Sequence, residues 1–241
     1  MKLDILAFGA HPDDIELSCA GTLALQASLG HACGVVDLTN GELGTRGTPQ
    51  IRLQEAKAAA DILQLKAREN LGFKDGFFTN DLEHQLEVVK MIRKYQPEIV
   101  LANAPTDRHP DHGRGAALVK QACFLAGLRR VSTQLDGEEQ EAYRPQQLLH
   151  YIQFQNLQPD FIVNISEHIK TKVKSIEAYK SQFYDPNSNE PKTVISSKNF
   201  LDSVTYRAQD LGRLIGVDYA EGFIKSQDLG ISNLMHLSGV R

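Results

Sequence analysis

Two short clusters hold the chemistry-bearing side chains of this sequence: Ala10-His11-Pro12-Asp13-Asp14 and Arg108-His109-Pro110-Asp111-His112. Imidazole and carboxylate are good ligands for zinc and related divalent metals. Proline after a histidine biases that histidine toward extended backbone, so the chain turns just beyond it. A turn of that kind lets His11 and Asp14 converge on one point, and His112 can supply a third ligand from the other cluster. A catalytic zinc site needs about three protein ligands and an open position for water. Asp13 and the pair His109/Asp111 are then left beside the metal without ligand duty. A carboxylate next to an activated water is placed as a general base. A histidine held by an aspartate can stabilise an oxyanion and protonate a leaving amine. Metal-assisted amide hydrolysis needs this combination.

Simpler uses exist for each cluster alone. Asp13 or Asp14 could cap a helix beginning near Ile15, and Asp13 with Glu16 has capping-box spacing. His109 and His112 could stand at another helix start. Position argues against two independent caps, because each cluster directly follows an expected strand, and ligands bind at the carboxyl ends of strands in open parallel sheets.

The elements that would position the clusters alternate between strand and helix. Leu3 to Gly9 is a short, nearly continuous apolar run, as a strand buried on both faces should be. Ile15 to Leu29 reads as one helix stopped by Gly30, and Cys33 to Leu38 as a second strand. Asn40 to Pro49, with three glycines, reads as a loop, and helical patterning returns from Gln50. A third strand is marked at Ala67 to Leu71. A helix follows between Asp81 and Tyr95, with a stripe of Leu82, Leu86, Val89 and Ile92. Ile99 to Ala102 is another buried strand, and His112 to Ala126 a further helix. Beyond it, Ser132 to Arg144 reads as an exposed loop, Leu148 to Phe154 and Phe161 to Ile165 as strands, and Tyr184 to Lys192 as turns. Helices are expected around Ile169, Val173 and Ile176, and over Phe200 to Leu214. The expectation is an α/β, Rossmann-like fold: a mostly parallel sheet with helices on both faces, in a single domain over residues 1–241.

With 41% apolar residues among 241, the chain can build a core without disulfides or a structural metal. A net charge of −4 gives no general attraction to nucleic acid or anionic membrane. Cys19, Cys33 and Cys123 are too few and too scattered for a zinc knot or disulfide framework, and read as buried free thiols. No signal peptide or membrane-length apolar run is evident, so a cytoplasmic protein is expected.

The pairing of His11-Pro12-Asp13-Asp14 after a first strand with His109-Pro110-Asp111-His112 resembles the PIG-L / LmbE family of zinc-dependent N-deacetylases, from Leu3 to about Phe223. Asp37-Leu38-Thr39, Arg52-Leu53-Gln54-Glu55-Ala56 and Tyr219-Ala220-Glu221-Gly222-Phe223 look like its bacillithiol-biosynthesis branch, which removes acetate from N-acetylglucosaminyl malate. The resemblance implies His11, Asp14 and His112 as ligands of Zn2+, with another divalent metal such as Fe2+ left open by the donor set. It implies Asp13 as general base, His109 oriented by Asp111 as the group assisting the tetrahedral intermediate, and Arg52 and Arg144 as substrate-binding. It also implies a homo-oligomer acting on a small N-acetyl amino sugar. One departure is that Phe200 stands where some relatives carry a tyrosine at the oxyanion, and phenylalanine cannot donate that hydrogen bond.

Arginine has its own rationale, since a guanidinium fork binds carboxylate in bidentate fashion. Arg46, Arg52, Arg108 and Arg144 all lie near expected strand-end loops or helix starts. Other readings are an N-acetylglucosamine, chitooligosaccharide or mycothiol-type deacetylase, and a non-catalytic Rossmann-type ligand-binding module. Phe8-Gly9-Ala10-His11-Pro12 lacks the G-x-G-x-x-G pattern that lets backbone approach a pyrophosphate, which counts against the last.

Overall fold

A computed structural model of the chain describes residues 1–237. The first half runs β1 (Ile5–Gly9), α1 (Asp14–Ser18), α2 (Ala20–Ser28), β2 (Cys33–Thr39), α3 (Pro49–Ile62), β3 (Ala67–Phe73), α4 (Leu82–Tyr95), β4 (Ile99–Ala102) and α5 (Pro110–Ala126). The second half adds β5 (Gln134–Leu135), β6 (Glu138–Glu139), β7 (Gln147–Tyr151), β8 (Phe161–Asn164), α6 (Ile169–Glu177), α7 (Lys198–Ile215) and β9 (Ala220–Lys225). Seven strands form one sheet in the order β3-β2-β1-β4-β7-β9-β8. The pairs from β3 across to β7 are parallel, and β9 runs antiparallel to both β7 and β8. The expected Rossmann-like α/β architecture is what forms.

Strand β1 shows why its sequence is apolar throughout. Leu6 and Phe8 pack into the core beneath α4 and α5, while Ile5 and Ala7 pack with Ile15, Cys19 and Leu23 on the opposite face. From β1 the chain steps outward to β2 and β3, then returns past β1 to β4 on its other side. Strand order therefore reverses between β1 and β4, and the loops leaving their carboxyl ends diverge around a crevice. Both histidine clusters leave from those two ends.

Several expected elements are altered. The helix expected over Ile15 to Leu29 is broken at Cys19, whose backbone (φ −129°, ψ 14°) is not helical. The cause lies far along the chain. Glu221 on β9 accepts hydrogen bonds from Gly21 N (3.0 Å), Thr22 N (2.7 Å) and the Thr22 hydroxyl (2.6 Å), taking over amides a continuous helix would have used internally. Glycine is required there, because a Cβ on Gly21 would stand 2.6 Å from Ile165 Cδ1. On α4 the packed face is Val88, Val89, Ile92 and Tyr95, whereas Leu82 is exposed and Leu86 only partly buried. The loop expected at Ser132 to Arg144 contains the β5–β6 hairpin, turned by Asp136 (φ 53°) and Gly137 (φ 86°). Two successive positive φ values make this a tight primed turn, for which Asp-Gly is suited. Strand β9 escaped the sequence because Glu221 and Gly222 interrupt its apolar run.

The three cysteines are buried and free. Among the described residues, no helix is long and apolar enough to cross a membrane.

Glu221 also accepts from Lys172 Nζ at 2.6 Å, with both side chains almost fully buried. Removing one partner of a buried pair leaves an uncompensated charge, whereas neutralising both is far milder. Lys172→Met should therefore lower unfolding stability by about 3 kcal/mol. Lys172→Met with Glu221→Gln should recover much of the loss, and urea unfolding midpoints of the two variants test this.

Candidate metal centre and active-site cleft

His11 is the second residue after β1, and the turn beyond it is closed by Asp14 N donating to His11 O at 3.2 Å. The turn brings His11 Nδ1 to 3.6 Å from Asp14 Oδ2, as the proline-directed spacing required. Asp14 is fully buried and reaches the second cluster as well, with His112 Nε2 3.1 Å from its Oδ1. Asn103 Nδ2 (3.0 Å) and Gln153 Nε2 (2.7 Å) donate to its two oxygens and fix the carboxylate between the imidazoles. Burial alone would push the Asp14 carboxyl up, but His112 and His11 outweigh it and hold it well below the usual carboxylate range.

Each imidazole is also anchored on its other nitrogen. His11 Nε2 lies 3.1 Å from Asp75 Oδ1 and 3.5 Å from Asp111 Oδ2. His112 Nδ1 lies 2.7 Å from Asp107 Oδ2. Burial opposes protonation of both rings, yet the carboxylates win: His11 is raised well above its ordinary value, and His112 is pushed up to about 9. The interior is therefore built to hold positive charge at this point. Donor atoms of His11, His109 and His112 lie within 4.8 Å of one another, as do those of His11, Asp75 and Asp111. Imidazole with carboxylate, buried and short of positive charge, fits a divalent metal ion. Carboxylates on the far nitrogens are the outer support that metal-bound histidines ordinarily have.

Asp13 occupies the capping position of α1, but its side chain caps nothing. It binds Arg52 Nη2 through Oδ2 at 2.7 Å. Its backbone is strained (φ 117°), a region that residues other than glycine seldom occupy. Burial pushes the Asp13 carboxyl up to about 6 despite the Arg52 guanidinium beside it. Arg52 itself is buried, and donates further to Pro12 O (3.1 Å) and Gly41 O (3.2 Å). It is admitted by Gly41 (φ 63°), where any Cβ would fall 1.8 Å from Arg52 Nη1. Asp13 and Arg52, with His11, Asp14, His109 and His112, line a cleft of about 620 Å³.

Two sequence-derived placements need correction. Asp111 does not orient His109 through its carboxylate. That carboxylate faces His11, accepts from Gly76 N at 2.7 Å and pairs with Arg114. His109 is held instead by the backbone, Asp111 N donating to its Nδ1 at 3.3 Å, so the capping use weighed for this residue does occur. Arg144 is not brought to the cleft. Its guanidinium lies over the Phe124 ring at 4.5 Å and donates to Phe124 O, near the carboxyl-terminal end of α5, whereas the cleft gathers at the helix's amino-terminal end. Arg52 does reach the cleft, but its hydrogen bonds go to Asp13 and to backbone. Phe200 is stacked between Phe154 and Phe183, and lines a hollow that His112 also borders.

Asp75, Asn103, Asp107 and Gln153 were missed. All follow closely on β3, β4 or β7 at the same edge of the sheet. A polar residue just past a central strand was the signal available, and Asp107 abuts the second cluster.

Residues 6–123 match the family model PIG-L, described as GlcNAc-PI de-N-acetylase. The chain is 28% identical over 229 residues to the diacetylchitobiose deacetylase of Thermococcus kodakarensis, covering 90% of this chain and 81% of that protein. It is 26% identical over 195 residues to a probable N-acetyl-alpha-D-glucosaminyl L-malate deacetylase 2 of Bacillus cereus, covering 76% of this chain and 84% of that one. The crystal structure of the conserved protein TT1542 from Thermus thermophilus superposes with a TM-score of 0.83 at 36% identity, covering 95% of this chain and 98% of that one.

Were His112 to hold a metal ion, Asp107 would orient the ligand imidazole from its Nδ1 side. Loss of such an outer partner typically weakens metal binding by about 10- to 100-fold. Asp107→Asn should show a drop of that order in a zinc titration against a chromophoric chelator. Unaltered affinity in a folded variant would remove Asp107 from the metal's support.

Proposed function

We propose that the chain is a PIG-L-type metal-dependent hydrolase that removes the acetyl group from an N-acetylglucosaminyl conjugate. The observation that carries this reading is the buried junction of His11, Asp14 and His112, with Asp13 beside it and no ligand duty of its own. Bound by His11, Asp14 and His112, a divalent ion such as Zn2+ supplies Lewis acidity that polarises an amide carbonyl and makes water a better acid.

The chain's own groups supply the proton movements. Asp13 gives Oδ2 to Arg52, which leaves Oδ1 to accept a proton from the attacking water. The water oxygen adds to the acetyl carbon. His109 Nδ1 accepts from Asp111 N, so the neutral ring carries its proton on Nε2, and that N–H can donate to the oxygen of the tetrahedral intermediate. Burial, together with His11 and His112, keeps the His109 pKa below its usual value, which favours the neutral donor. Asp13 then returns its proton to the nitrogen as the C–N bond breaks, giving acetate and a free amine. No tyrosine is needed at Phe200 in this scheme.

The names of the two relatives, a diacetylchitobiose deacetylase and a probable N-acetyl-alpha-D-glucosaminyl L-malate deacetylase, both point to an N-acetylated amino sugar. The likeness to the diacetylchitobiose deacetylase runs over more of the chain than the likeness to the malate-conjugate enzyme, and so gives a neutral chitooligosaccharide the stronger support. The malate conjugate is kept as a second reading because Arg108 and Arg207, beside the cleft, make no ion pair among the described residues.

Asp13→Asn should retain bound metal and lose about 100- to 10,000-fold in kcat for acetate release from N,N'-diacetylchitobiose. Wild-type turnover in that variant would remove Asp13 as the base. Separately, His112→Ala should emerge from purification with its metal content largely lost by elemental analysis. Full occupancy would overturn the ligand assignment.

A further inference from the structure

Arg68 is a buried charge that no step in the cleft uses. It stands second in β3, opposite Val35 of β2, and its side chain is 8% exposed. Every nitrogen of its guanidinium is engaged. Nε and Nη2 donate to the two oxygens of Asp37 at 2.8 and 3.0 Å. Asp37 lies two residues along β2 from Val35, and so on the same face of the sheet. Nη1 donates to Glu16 Oε1 of α1 at 2.5 Å and to the Ala56 carbonyl oxygen of α3 at 3.3 Å. The fully buried Tyr179 ring lies 6.0 Å from Arg68 Cζ. Burial opposes the charge, but Asp37 and Glu16 outweigh it and hold the guanidinium protonated.

The two helices that Arg68 joins carry the two groups that meet in the cleft. Glu16 lies three residues beyond Asp13, and Ala56 lies one turn along α3 from Arg52. Asp13 and Arg52 meet at 2.7 Å. Helices α1 and α3 are therefore tied twice, once by that pair and once by Arg68 from the sheet. Local structure cannot fix the first tie. Helix α1 has only 5 residues, too short to hold itself by internal hydrogen bonds, and Asp13 at its start has φ 117° and caps nothing. Arg68, Glu16 and Asp37 do not line the cleft, so their effect on it must pass through α1 and α3.

We propose that Arg68 is a positioning residue for Asp13: by fastening α1 through Glu16 and α3 through the Ala56 carbonyl to Asp37 of the sheet, it sets the contact at which Arg52 grips the Asp13 carboxylate. The proposal rests on the reading of Asp13 as the base of a deacetylase. A planar fork with donors on two edges can hold Asp37 in bidentate fashion and still reach Glu16 and Ala56, which the point charge of a lysine cannot. Asp13 acts on water rather than on the sugar. A base held in the wrong place therefore lowers kcat and leaves KM alone.

The test measures acetate release from N,N'-diacetylchitobiose by the metal-loaded protein. Arg68→Lys should lower kcat by about tenfold, less than the loss from a full 1 Å misplacement, with KM and metal content unaltered. Lys172→Met is the control for stability alone: it breaks a buried ion pair elsewhere, and kcat per folded molecule should stay at the wild-type value. Glu16→Gln keeps the shape of the side chain and leaves Arg68 its pair with Asp37. It should show a smaller loss of kcat, and it carries the test if Arg68→Lys does not fold. Wild-type kcat in the folded variant overturns the proposal, as does a loss that falls on KM or appears equally in Lys172→Met. A crystal structure of the same variant separates this claim from the deacetylase reading. An Asp13–Arg52 contact lengthened beyond about 3.2 Å, in a protein whose wild type releases no acetate, supports the tie and refutes the reaction. Acetate release at the wild-type rate with that contact intact refutes the tie alone.

Discussion

The cleft depends on carboxylates and imidazoles that are buried together because neither could be buried alone. An ionised carboxylate out of water costs several kcal/mol unless paired, and Asp14 and Asp111 are almost wholly enclosed. Each has donors around it: Asp14 takes His11 N, Asn103 and Gln153 as well as facing both imidazoles, and Asp111 takes Gly76 N and Arg114. Asp75 and Asp107 hold the far nitrogens of His11 and His112. The rings are thus oriented by side chains from several loops before any ligand arrives. A divalent cation entering between them would displace protons and take over the charge compensation those protons provide. Sheet topology makes the gathering possible, since only where strand order reverses can loops from β1 and β4 part and leave room between them.

A chain of small dependencies sets Asp13 in place. Its backbone conformation costs about 1–3 kcal/mol in a residue other than glycine, and the surroundings over-determine it. Arg52 grips one carboxylate oxygen and the adjacent Pro12 carbonyl, and Arg52 fits only because Gly41 has no side chain. Asp13 and Asp14 are adjacent in sequence and oppositely perturbed. Burial raises the first to about 6, while the histidines hold the second well below the carboxylate range. Neighbouring carboxyl groups with divergent proton affinities can divide the work of proton acceptor and permanent anion.

Sequence made the centre of this arrangement legible and left its periphery obscure. The apolar runs of β1, β2 and β4 are buried on both faces and need no partner information to be recognised, and the clusters follow β1 and β4 directly. Asp75 and Asp107 carry no local pattern that distinguishes them from ordinary loop acids, because their roles arise from contacts with residues on other loops. Arg144 was misplaced because closeness to a strand does not say which end of the sheet the residue faces. Its neighbour in space is Phe124, near the carboxyl-terminal end of α5. The break at Cys19 was invisible for a similar reason, since its cause, Glu221, lies on the last strand. Long-range partners set what local pattern could not.

Opposite charges persist side by side at this end of the sheet without annihilating each other. Arg108 does not collapse onto Asp107, its neighbour in sequence, because His112 and the amides of Phe154 and Gln155 already hold those oxygens. Arg108 lies instead over the Phe154 ring. The carboxylate is thereby kept for the imidazole it orients, and the same loop can carry a free guanidinium beside a buried acid without either losing its place.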